Sequence, residues 1–105
     1  AQEMLEHLAT HDNLTNLANR SLFSEHLAHA IAHAKRNRQK LAILFIDLDG
    51  FKVVNDEHGH DVGDQLLKVI ADILKRAIRT TDFVARFGGD EFAFILPEIG
   101  ALHLP

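Results

Sequence analysis

Apolar residues fall along this chain partly in helical spacing and partly in short unbroken runs. Met4, Leu5 and Leu8 have helical spacing at the very start. After a turn-rich stretch, His11 to Asn19, the residues Phe23, Leu27, Ala30, Ile31 and Ala34 recur at threes and fours. This predicts a helix over about 20–38 with one apolar face. Its end is basic, with Lys35, Arg36, Arg38 and Lys40, as suits the negative end of a helix dipole. LAILFI, residues 41–46, is bounded by charge and reads as a strand buried on both faces. The next sixteen residues, LDGFKVVNDEHGHDVG, carry turn signals and read as a long loop. A second helix is expected from Asp64 to Arg79, with Leu66, Leu67, Ile70, Ile73, Leu74, Ala77 and Ile78 on its apolar face. Two strands, 82–87 and 91–96, then close a hairpin through Gly88, Gly89 and Asp90.

A strand, a crossover helix and a second strand form a unit whose two strands run parallel, so both end on the same edge of the sheet. That places Asp47 near Asp90 and Glu91. Hard divalent cations take oxygen ligands, bind one or two protein carboxylates and share the rest of their shell with phosphates. A glycine pair beside such acids lets backbone approach a bulky phosphate.

Composition narrows the possibilities. The 105 residues suit one domain, and with no Cys there is neither a disulfide framework nor a thiolate metal site. Eleven basic against fifteen acidic residues leave a net charge of -4, which speaks against a broad grip on a nucleic acid polymer. The start, AQEMLEHLAT, is too polar for an export signal, so a cytoplasmic place is expected, including the cytoplasmic part of a membrane-attached sensor.

At the glycine hairpin the sequence resembles the GGDEF domain of diguanylate cyclases, which condense two GTP into cyclic di-GMP and release pyrophosphate. The signature Gly88-Gly89-Asp90-Glu91-Phe92 is preceded by Arg86-Phe87. It is accompanied by DNLTNLANR (12–20), FIDLDGFKVVND (45–56) and GHDVGD (59–64) in family order. The resemblance covers most of the chain from His11 to Pro97. It implies an α+β, ferredoxin-like or nucleotidyl-cyclase-like sheet with flanking helices, of which this chain supplies βαββ and lacks the last helix and strand.

The resemblance also implies roles. Asp47, the Leu48 carbonyl and Asp90 would hold Mg²⁺ or Mn²⁺, with Glu91 beside the metal and the reacting 3′-hydroxyl. Asn55 and Asp64 would read the guanine edge. His60 is a further nucleotide contact, Gly88 and Gly89 admit the substrate, and Lys52 would neutralise phosphate. Arg79-Thr80-Thr81-Asp82 resembles the inhibitory site where product binds, at the edge opposite Asp47. Plain structural readings stand beside these: a turn-forming Asn55, a helix N-cap at Asp64, a solvated Lys52, and an Arg79–Asp82 pair that merely closes a turn. Asp90 stands where the family often has Glu. Asn16 and Ala18 replace its usual Gly and Pro, and Asn tolerates a left-handed backbone. His26, His29 and His33 form a stripe read as solvated.

Both ends read as cut. Residues 1–10 would end an upstream signalling helix from a sensor domain, and 11–105 would be a truncated domain whose first strand has an open edge. The leading expectation is a homodimeric cyclase, because each protomer presents one GTP and the product joins two; a non-catalytic receptor for cyclic di-GMP or GTP is the alternative. The isolated 105-residue chain is expected to make little cyclic di-GMP from GTP and Mg²⁺, and ready turnover by that chain would contradict the truncated reading.

Overall fold

In the structure, a computed structural model that describes residues 2–99, seven elements follow one another. They are α1 (Gln2–Thr10), α2 (Arg20–Asn37), β1 (Leu41–Asp47), α3 (Phe51–His58), α4 (His60–Ala77), β2 (Phe83–Gly88) and β3 (Glu91–Pro97). The closing stretch 100–105, part of the end read as cut, lies outside the described residues.

The sheet has the order β1-β3-β2, and β3 is antiparallel to both neighbours. β1 and β2 therefore run parallel, as the crossover requires, but with β3 inserted between them. Burial follows the period of two that a central strand imposes. Phe92 and Phe94 join Leu17, Leu67, Ala71 and Val84 on one face, backed by Phe51, Ile70 and Leu74 of the helix pair. Ala93 and Ile95 join Ala18, Phe23 and Ala85 on the other face, under Leu22, Leu27 and Ala30 of α2. Phe23 anchors that second layer, with the Phe87 ring edge-on at 5.1 Å and the Arg20 guanidinium lying over Phe87 at 4.7 Å.

Several expectations need correcting. The long loop is helix instead: Phe51–His58 forms α3, and α4 begins at His60 rather than Asp64 and ends at Ala77. The turn signals are real but local. Gly50 adopts φ 76° before α3 and Gly59 adopts φ 91° as the sole residue between the helices. Asn55 thus lies within α3 and is no turn former, and Asp64 lies in the second turn of α4 and is no N-cap. Ile31 and Ile73 are exposed, while Leu22 and Ala71 pack instead. β1 is not buried on both faces: among the described residues it pairs on one side only, and Ile43, Leu44 and Phe45 are exposed.

The turn from His11 to Asn19 protects the other edge of the sheet. Ala18 bridges to Ala85, and the Arg86 N–H donates to the Ala18 carbonyl at 2.9 Å. Asn16 takes the left-handed backbone its side chain tolerates, at φ 61°. The Asn19 side chain caps α2 by accepting from the Leu22 N–H at 3.0 Å, and donates through Nδ2 to the Ala9 carbonyl at 3.1 Å. No described helix is long and apolar enough to cross a membrane.

A nearly buried ion pair ties this turn to the hairpin. Arg86 Nη1 donates to both oxygens of Asp12 at 3.0 Å, while Nε and Nη2 donate to the Gly89 carbonyl at 3.1 and 2.9 Å. The N–H and hydroxyl of Thr15 donate to the same carboxylate, each at 2.8 Å. Burial by itself would raise the pKa of Asp12, but the bonds from Thr15 and Arg86 outweigh it and hold the carboxyl below its ordinary value. Ionised Asp12 therefore stabilises the fold above the ordinary carboxylate range, and that contribution is lost as pH falls through the depressed value. Arg86→Ala should cost roughly 3 kcal/mol in urea unfolding of the full-length protein at pH 7, and less once acid protonates Asp12. An unchanged midpoint would show the pair to be idle.

Candidate active site

Three acidic residues converge along the backbone where β1 ends and β3 begins. Asp47 is the register partner of Glu91, and the Leu48 N–H donates to the Asp90 carbonyl at 3.2 Å. The topology that the sequence implies is thus the one found. Among the described residues, Asp47, Asp90 and Glu91 have no ion-pair or hydrogen-bonding side-chain partner, so the edge carries negative charge with no protein cation to balance it. The Leu48 carbonyl accepts only a long bond, 3.4 Å, from the Phe51 N–H.

The glycine turn leaves this edge open. Gly88 has φ 123° and Gly89 φ 52°, and a Cβ built on either would meet nothing within 4 Å. Their requirement is thus conformational rather than steric. The bulge between Arg86 and Gly88 tightens the hairpin, and Arg86 holds its Gly89 carbonyl.

Only three residues separate β1 from α3, so the helix pair begins beside the acids. Lys52 is exposed in its first turn. Asn55 lies against Gly63 of α4, and His60 and Asp64, four residues apart, share a face of α4 at the same junction. Among the described residues the side chains of Lys52, Asn55, His60 and Asp64 make no hydrogen bond or ion pair. Lys52 thus lies close to Asp47 along the chain, while Asn55 and Asp64 lie further along the helix pair where α3 packs on α4.

All-oxygen donors suit a hard cation, and Mg²⁺ keeps several waters and shares phosphate oxygens rather than filling a closed protein cage. Among the described residues no three acids or histidines are drawn together as a ready-made cage. The open pair Asp47 and Asp90, with the Leu48 carbonyl, fits that mode.

Arg79 and Asp82 lie at the opposite edge, as the topology implies, and they grip each other. Arg79 Nη2 donates to Asp82 Oδ1 at 2.9 Å and to the Pro97 carbonyl at 2.8 Å, and the Arg79 N–H donates to Asp82 Oδ2 at 2.9 Å. Burial alone would raise the pKa of Asp82, yet these bonds lower it. The Asp82 side chain is 6% exposed and Arg79 46%, so the guanidinium and not the carboxylate faces outward.

The histidine stripe is exposed, as expected, though His26 also packs on a neighbour. With Thr80, Thr81, Pro97 and Glu98 the stripe lines a groove of about 410 Å³, and the His26 ring stacks on Phe83 at 4.0 Å. Burial, then the neighbouring His29, lowers the pKa of His26. Sequence reasoning missed this stacking, the Asp12–Arg86 pair and the packing of Asn55 on Gly63. None of the three had a local signal, and Gly63 itself fell in the stretch read as loop.

Comparison with known proteins places this layout. The α+β class is that of a solved structure, the coiled coil and GGDEF domain of DgcB from Caulobacter crescentus in complex with c-di-GMP. It superposes with a TM-score of 0.86 at 39% identity, over 92% of this chain and 51% of that one. The family model for the diguanylate cyclase GGDEF domain matches residues 9–103, and the chain belongs to that family. It is 48% identical over 96 residues to the bifunctional diguanylate cyclase/cyclic di-GMP phosphodiesterase MucR of Pseudomonas aeruginosa. It is 46% identical over 97 residues to the diguanylate cyclase TpbB of that species. These matches take in 91% and 92% of this chain but 14% and 22% of the relatives' lengths.

The two glycines should respond differently to alanine. Gly89→Ala puts Cβ on a left-handed residue at a cost of about 1 kcal/mol, whereas Gly88→Ala enters a region almost confined to glycine and should cost roughly 3 kcal/mol. Chemical denaturation of both variants measures this, and equal costs would contradict the backbone account.

Proposed function

We propose that this domain condenses two molecules of GTP into cyclic di-GMP as one half of a homodimer. The observation that carries the reading is the convergence of three unpaired acidic residues on one strand edge beside a glycine turn, in a chain of the GGDEF family. Each of two successive steps joins the 3′-oxygen of one nucleotide to the α-phosphorus of the other; a P–O bond breaks and pyrophosphate leaves.

Asp47, Asp90 and the Leu48 carbonyl would hold Mg²⁺ or Mn²⁺. Such an ion offsets charge on the phosphate oxygens and on the attacking oxygen. Glu91, exposed at the start of β3, would take the proton of the 3′-hydroxyl. Lys52 adds a cation on the phosphate side. The amide of Asn55 can both donate and accept, and the carboxylate of Asp64 accepts from the donors on a guanine edge. His60 adds a contact from the same face. Gly88 and Gly89 leave the room at the turn in which a triphosphate can approach backbone. An upstream segment would bring the two protomers face to face and couple them to a sensor.

The alternative is a domain that binds cyclic di-GMP without making it. Arg79 supports it, because its guanidinium faces outward with Asp82 fixed behind it.

The full-length protein should form cyclic di-GMP from GTP and Mg²⁺. Glu91→Gln and Asp47→Asn should each lower that rate roughly 10²–10⁴-fold without changing the melting temperature. Chromatography of the products checks this. No product, together with cyclic di-GMP binding that Arg79→Ala abolishes, would establish the receptor reading instead.

A further inference from the structure

Gly63 is the buried glycine of α4, and its place there needs an explanation. Glycine inside a helix costs about 1 kcal/mol relative to alanine. Its backbone offers no reason, since Gly63 is absent from the residues of positive φ. The reason is steric. A Cβ at this position would overlap the side-chain oxygen of Asn55 and stand 2.9 Å from its Cγ, whereas the Phe51 ring at 3.4 Å is in near-ordinary contact. The one group that an alanine must displace is therefore the Asn55 amide.

That amide is half-buried and has no hydrogen-bond partner among the described residues. Hydrogen bonds do not hold it in place; shape does. The slot left by the missing Cβ lies one residue before Asp64 and three after His60, at the junction closed by Gly59. The Gly59 N–H donates to the Asn55 carbonyl at 2.9 Å, and the Gly63 N–H donates to the Gly59 carbonyl at 3.2 Å. Backbone bonds thus fix the spacing between the two helices, and the remaining freedom is the Asn55 side-chain torsion.

We infer that Gly63 is a positioning residue for base recognition: its absent side chain seats the Asn55 amide beside Asp64, so that the two present one edge to a purine. The inference rests on the reading of Asn55 and Asp64 given above. It predicts opposite signs for stability and binding. Gly63→Ala relieves the helix of its glycine yet pushes the amide out of its seat.

The test uses the full-length protein in a Glu91→Gln background, where GTP is not consumed, with GTP binding followed by calorimetry in Mg²⁺. Gly63→Ala should weaken GTP about tenfold, the scale of one hydrogen bond to the base, while the melting temperature holds or rises. Asn55→Ala should weaken GTP similarly, and adding Gly63→Ala to it should cause little further loss, because the glycine acts through the amide. If Asn55→Ala weakens GTP and Gly63→Ala does not, the positioning role is overturned while the base-reading assignment stands. If Asn55→Ala leaves GTP affinity intact, that assignment fails and takes the inference with it. Should Gly63→Ala unfold the protein, the double variant decides. Recovery of folding with Asn55→Ala supports the overlap as the cause, and persistent unfolding overturns it.

Discussion

Arg86 ties three parts of the fold together. Its backbone N–H reaches Ala18, Nη1 reaches Asp12, and Nε and Nη2 reach Gly89. Through it the covering of the β2 edge, the turn before α2 and the signature hairpin form one unit. Only arginine offers donors in a rigid planar fork that can serve a carboxylate and a carbonyl at once. The Thr15 bonds complete the coordination of Asp12, so the nearly buried charge is satisfied on every side.

With the hairpin held from behind, its front is free to remain electrostatically unbalanced. Three acids elsewhere are matched by an arginine: Asp12 by Arg86, Asp82 by Arg79, Asp72 by Arg76. At the edge where β1 meets β3 they are not. Opposite ends of one small sheet thus hold contrary arrangements, a closed pair at Arg79–Asp82 and an open set at Asp47, Asp90 and Glu91. The closed end rigidifies a turn, and the open end has a standing demand for cations.

Much of this was legible in the amino-acid sequence. The crossover rule alone brought Asp47 to Asp90 and Glu91, because strand direction follows from connectivity and needs no distances. The left-handed Asn16 followed from its side-chain chemistry. The two helices of 51–77 were obscured by their own punctuation: Asp49-Gly50 and His58-Gly59 resemble loop signals, yet here each glycine only starts a helix. The open edge of β1 was expected, but the exposure of Ile43, Leu44 and Phe45 was hidden because an apolar run does not say which of its faces is covered. The Asp12–Arg86 pair joins residues 74 positions apart, and no local pattern announces such a contact.

A single residue, Gly59, separates α3 from α4, and its N–H and carbonyl are both occupied. Between the helix that carries Lys52 and Asn55 and the helix that carries His60 and Asp64 there are thus only two soft torsions, each held by a hydrogen bond. The two halves of the surface have almost no freedom to move apart. For any ligand that docked there, the entropy of arranging the two helix backbones would have been lost when the domain folded, not when the ligand arrived.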